Sequence, residues 1–163
     1  MLHDILSKFD AGIDTASAHC DIPCGIYDAR IVTYYAVSAL RQIDILLSLK
    51  EKGLSDTAFA MQVARNTAKK EEMAENCKHQ TRIIWGDFMK PKNQEDMAKC
   101  HEAAHAIMLA GSAVKQDLHR EDGEKLVAAA NEFAKIFWAS KGVKTKTVTT
   151  PYAPSVKVVE PDL

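Results

Sequence analysis

From residue 29 onward the apolar positions recur at helical spacing. Ala36, Leu40, Ile43 and Leu47, joined by Val37 and Leu46, form a stripe, and Gly53 stands where a C-terminal glycine cap belongs. A first helix is therefore expected over 29–52. Ser55-Asp56 offers an N-cap for a second, long helix running to about residue 88, with Met61, Ala68, Met73, Ile83 and Ile84 on its apolar face and Pro91 to stop it. Asn93, followed by Gln94-Glu95-Asp96, opens a third with acids in its first turn, Met97, Ala104, Met108 and Leu109 on its face, and an end near residue 118. A fourth spans about 122–141, with Leu126, Ala130, Phe133 and Phe137 as its stripe and Gly142 as its cap. Four such helices with short loops and almost no alternating pattern predict an all-α fold, an antiparallel up-down four-helix bundle.

The two ends of the chain break this pattern. Residues 143–163 carry three prolines in the last thirteen positions and no core pattern. They are expected to form an extended C-terminal tail, either free or laid on a neighbouring subunit. Residues 1–18 place Leu2, Ile5, Leu6 and Phe9 at the spacing of a short amphipathic helix, which reads either as a frayed terminal helix or as a removable leader.

Composition changes this picture little. The 163 residues make one ordinary domain, with 47% hydrophobic and 26% charged residues and a formal charge of -1. That charge gives no electrostatic reason to expect nucleic acid or an anionic membrane surface as partner. Four cysteines (Cys20, Cys24, Cys77, Cys100) are too few for a disulfide scaffold, and no apolar secretion segment stands out, so a cytoplasmic address is expected. Cys77 and Cys100 read as buried small hydrophobes.

The chemistry concentrates between the leader and the first helix, in His19-Cys20-Asp21-Ile22-Pro23-Cys24-Gly25-Ile26-Tyr27-Asp28. Pro23 keeps Ile22 out of the helical region and Gly25 permits a left-handed turn, so the segment is expected to fold back as a hook that brings Cys20 and Cys24 together. Two thiolates beside an imidazole suit a soft or borderline transition metal. The small residues Thr15-Ala16-Ser17-Ala18 offer a cleavage point that would free the amine of His19. That amine, the backbone nitrogen of Cys20 and the two sulfurs would form a planar set of two nitrogens and two sulfurs, of the kind that suits copper(II) or nickel(II), with the His19 imidazole as an axial fifth ligand.

This stretch resembles the nickel hook of nickel superoxide dismutases, His-Cys-Asp-x-Pro-Cys-Gly-x-Tyr-Asp. Ile84-Trp85-Gly86-Asp87-Phe88-Met89-Lys90-Pro91 is similar to the family's second-helix ending, and Lys135-Ile136-Phe137-Trp138-Ala139-Ser140-Lys141 to its last helix. The resemblance implies an antioxidant oxidoreductase that disproportionates superoxide to dioxygen and hydrogen peroxide by Ni(III)/Ni(II) cycling, with one nickel ion per subunit. It implies His19, Cys20 and Cys24 as metal ligands, and Asp21 and Tyr27 as the frame of the substrate pocket. It also implies a cis peptide bond before Pro23, a propeptide over residues 1–18 removed by a maturation peptidase, and a homohexamer of domains spanning 19–142. Some members carry a Glu in the first helix holding the axial His and an Arg in the second holding the Glu; Val32 and Met73 align there. Phe88 stands where the family often has Tyr.

Two rival readings use other features. A non-catalytic metal-binding or thiol-sensing module would use the same hook without turnover. A zinc protease would use His101-Glu102-Ala103-Ala104-His105, an H-E-x-x-H run on one helix face, and would need a third ligand from His119, Glu121 or Glu124.

Overall fold

A computed structural model describes residues 25–163. Four helices dominate: α1 (Arg30–Ser48), α2 (Asp56–Ile83), α3 (Met97–Gln116) and α4 (Arg120–Ser140). Each packs on its sequence neighbours, and α4 returns against α1 to close the ring, as an up-down bundle requires. Phe133 and Phe137 of α4, Leu40 and Ile43 of α1, Ile107 of α3 and Ile84 at the end of α2 are fully buried between them.

The helix ends follow local chemistry. After α1 a tight turn, Leu49–Lys52, runs into Gly53, whose φ of 58° is left-handed. The Ser55 hydroxyl accepts from the Ala58 amide at the start of α2. At the end of α4 the Val143 amide reaches the Trp138 carbonyl and the Gly142 amide reaches the Ala139 carbonyl, the paired bonds of a Schellman cap, with φ 68° at Gly142.

Three expectations from the pattern are corrected. Helix α3 begins at Met97 rather than at Asn93, because Asp96 accepts from the Lys99 amide as the N-cap. The Asn93 amide side chain is occupied in the preceding turn, donating to the Phe88 carbonyl at 2.5 Å and accepting from the Lys90 amide at 3.3 Å. Leu47, Met61 and Leu109 face solvent rather than the core. Met61 does so because the buried positions of α2 begin only at Asn66, past its first turns.

The tail is the largest correction. Residues Thr145–Thr149 (β1) and Lys157–Pro161 (β2) form an antiparallel hairpin packed on α4 and α1, with Val158 and Val159 buried. The side chain of Asn131 on α4 holds it, accepting from the Val159 amide and donating to the Lys157 carbonyl, both at 2.9 Å. Because neighbouring valines on opposite faces are both covered, β2 lacks the one-sided alternation that marks a strand.

Candidate metal centre

The described chain begins at the mouth of the expected hook. Gly25 has φ 88°, the left-handed turn its position suggested. Two residues on, the ring of Tyr27 leans on Phe88 with centroids 5.5 Å apart. Phe88 lies 5.2 Å from Phe137, which meets Trp138 edge-on at 4.9 Å. The Lys141 ammonium sits 4.6 Å above the Phe88 ring and 5.2 Å from that of Phe137. An aromatic cluster with a cation at its side thus lies against Tyr27, near the start of the described chain.

A local change in helix pitch brings Phe88 there. The last turn of α2, Ile84–Phe88, widens into a π-helix, and the Met89 amide reaches back to the Ile84 carbonyl. Such widenings rotate the residues that follow and occur at functional sites. This one falls on Trp85-Gly86-Asp87-Phe88, the stretch singled out above by its resemblance.

Asp28 fixes the chain's entry into α1. Its carboxylate accepts from the Arg30 amide at 2.8 Å and grips the Arg30 guanidinium through both oxygens, at 3.1 and 2.8 Å to Nε and 2.5 Å to Nη2. Burial alone would push the Asp28 carboxyl up; the hydrogen bonds and charge of Arg30, aided by the charge of Lys141, outweigh it and hold the group below the usual carboxylate range.

His19, Cys20, Asp21 and Cys24, together with the cis bond expected at Pro23, lie outside the described residues; Tyr27 lies within them. Among the described residues no three His, Cys, Asp or Glu side chains gather where a metal could sit. Cys77 is fully buried, donates to the Val32 carbonyl at 3.5 Å, and has its thiol pushed up to about 12 by desolvation. Cys100 is also buried, donates to the Gln94 side chain, and is likewise raised by desolvation. Neither can supply a thiolate at neutral pH. Two sulfurs and an imidazole would suit nickel by donor chemistry, and the cysteines other than the two buried ones are Cys20 and Cys24, outside the described residues.

The H-E-x-x-H run does not assemble a zinc site. The indole Nε1–H of Trp85 donates to Nδ1 of His101 at 2.9 Å, which leaves the proton of a neutral imidazole on Nε2, where a ligand would need a lone pair. His119, one of the possible third ligands, pairs with Asp117 at 3.1 Å instead.

Val32 and Met73, which the resemblance sets opposite a Glu and an Arg of some members, are both buried members of the apolar core. Both positions are filled by apolar packing, so neither helix carries a lone charge there. The role of Lys141 above the aromatic cluster was not read from the sequence, although it ends the segment that resembles the family's last helix.

A four-helix bundle entered through a segment whose sequence carries two cysteines and a histidine points to a transition-metal protein. Residues 14–141 match the family of nickel-containing superoxide dismutases. The superoxide dismutase [Ni] of Streptomyces coelicolor is 34% identical over 140 residues, covering 84% of this chain and 98% of that protein. Its counterpart from Streptomyces seoulensis is 31% identical over 137 residues, with the same coverage. A native nickel superoxide dismutase structure superposes with a TM-score of 0.62 at 32% identity, and one with nickel ligation corresponding to the oxidised state with 0.64 at 30%. Each covers 76% of this chain and 99% of its own. The chain belongs to the nickel-containing superoxide dismutase family: an oxidoreductase with nickel as cofactor and superoxide as substrate. The family match ends at residue 141, so the hairpin lies beyond it.

Proposed function

We propose that cleavage before His19 creates the metal site, and that the mature chain disproportionates superoxide there. The freed His19 amine, the backbone nitrogen of Cys20 and the sulfurs of Cys20 and Cys24 would hold one nickel ion per subunit, with the His19 imidazole as a fifth donor. When bound, the metal supplies a one-electron couple able to take an electron from one superoxide and give it to another. The anionic sulfurs stabilise the higher oxidation state, as oxygen or neutral nitrogen donors alone would not. Tyr27, braced against Phe88, limits access and presents its hydroxyl to the incoming anion or a water, while Asp21 forms the other wall. A metal on such a short hook needs neighbouring chains as walls, which supports a homohexamer, and the absence of a recognisable secretion segment supports maturation and action in the cytoplasm.

The observation that carries this reading is the exhaustion of alternatives: the described thiols are buried and protonated, and Tyr27, two residues after Gly25, rests on an aromatic cluster. Elemental analysis and superoxide consumption on protein beginning at His19 test it. Nickel and activity should be present together, and both should vanish in Cys20→Ser and in Cys24→Ser. Full activity in either serine variant refutes the assignment. Metal bound without catalytic loss of superoxide would leave a binding module instead.

A further inference from the structure

We propose that the outer edge of β1 pairs with the same edge of a second copy of this chain, antiparallel and about a two-fold axis through Thr147. The hairpin has two edges, and they differ. Along β2, the Val159 amide and Lys157 carbonyl point away from β1 and are taken by the side chain of Asn131. That edge is closed.

The same two bonds fix the ladder's phase. In an antiparallel pair, residues alternate between pairs that exchange hydrogen bonds and pairs whose polar groups face outward. Thr147 opposite Val159 and Thr149 opposite Lys157 are therefore outward-facing pairs, and so is Thr145 opposite Pro161, where a missing amide proton costs nothing. The inward bonds fall at Lys146 and Val148. This phase continues beyond the strands, where the Thr150 amide reaches the Val156 carbonyl at 3.0 Å and the Asp162 amide reaches the Lys144 carbonyl at 2.8 Å. The amides and carbonyls of Thr145, Thr147 and Thr149 thus point out of the open edge, and all three residues are exposed. Among the described residues no group outside the hairpin bonds to them.

The charges on the strand select the occupant and the register. With the axis at Thr147, Thr145 faces Thr149 of the second copy, Thr147 faces its equivalent, and Lys146 faces Val148. All three outward threonines are then used, each pair exchanging two hydrogen bonds, and no lysine opposes a lysine. An axis at Lys146 sets that residue against itself, and one at Thr145 sets it against Lys144. An axis at Val148 or Thr149 brings Pro151, which has no amide proton, opposite an outward threonine. Lysines that protect an edge against indiscriminate pairing leave this one self-complementary arrangement open. The contact belongs to a segment beyond the family match and does not depend on the nickel chemistry.

Amide hydrogen exchange on the full mature, nickel-loaded protein reads the edge directly. The Thr145, Thr147 and Thr149 amides should gain protection together as concentration rises, while those of Lys146 and Val148 are protected at every concentration. Thr147→Pro removes an outward donor and no ladder bond, so it should abolish the growth of assembly mass with concentration in light scattering and leave superoxide consumption unchanged. Threonine amides that exchange at the open rate at all concentrations, or equal assembly masses for the two proteins, overturn the proposal. Protection that appears only on adding a different protein also overturns it. Should the proline variant fail to fold, exchange in the unaltered protein decides alone.

Discussion

Asn131 does with one side chain what a third strand would do for the hairpin. It offers one acceptor to the part-buried Val159 amide and one donor to the exposed Lys157 carbonyl. Asn131→Ala should cost about 0.5–1.5 kcal/mol, the usual net contribution of such hydrogen bonds. Denaturant unfolding measures the loss, and increased proteolysis within residues 143–163 should localise it. Glu75 of α2 is a different case. It bonds to Lys115 of α3 and to Arg82, each at 3.0 Å, with Lys78 nearby, and these cations pull its carboxyl down to about 2. A carboxyl depressed on folding contributes stability that is fully present above its unfolded value, near 4.5, and is lost as pH falls toward 2. Because Glu75 is substantially exposed, solvent screening reduces the contribution to about 1 kcal/mol. The acid limb of a stability profile should flatten between those values in Glu75→Gln, and an unchanged limb would remove Glu75 from the account.

At the level of elements, Gly123 lets α4 approach α1 closely. A methyl group at Gly123 would stand 2.7 Å from Cδ1 of Leu40, 3.0 Å from Cδ1 of Ile43 and 3.3 Å from Cα of Leu40. At Gly111 of α3 the nearest atoms, 2.9 and 3.0 Å away, belong to the Lys78 side chain, which can move aside. Both glycines lie in helices, where alanine gains roughly 0.5–1 kcal/mol, but overpacking a fixed core costs about 1–3 kcal/mol. Gly123→Ala should therefore lower the unfolding temperature, while Gly111→Ala should leave it level or raise it. Equal behaviour of the two would contradict the close α1–α4 contact. The glycine-capped helix ends at Gly53 and Gly142 were legible in the sequence, since a left-handed cap is a local requirement that few residues other than glycine meet. The start of α3 was not, because Asn93 and Asp96 are both competent caps, and the turn after Pro91 decides which of them is free.

At the scale of the whole molecule, Tyr27 and Phe88, backed by the buried Phe137, lie where the described chain enters the bundle. If cleavage before His19 creates the site, protein shown by mass spectrometry to retain Met1 should consume no superoxide, because its His19 nitrogen is locked in a peptide bond. Nickel should also raise the unfolding temperature of the trimmed chain alone. At a hundredfold excess over the dissociation constant, binding to the folded state adds about 2.7 kcal/mol. An equal nickel-induced shift in the untrimmed chain would contradict a ligand amine at position 19.

The sequence by itself determined the bundle and pointed to a donor set, because helical periodicity, glycine caps and the spacing of His19, Cys20 and Cys24 are properties of neighbours along the chain. It also pointed to Cys77 and Cys100 as inert, since small sulfur residues within apolar stripes become buried. Only the tertiary structure decided that Leu47 faces solvent, that Trp85 ties up His101, and that Lys141 lies over Phe88 and Phe137. It alone turned the last twenty residues into a hairpin. Those outcomes depend on which surfaces meet, and Asn131 lies far in sequence from the strand it holds. A strand covered on both faces carries no periodic signal that would announce it.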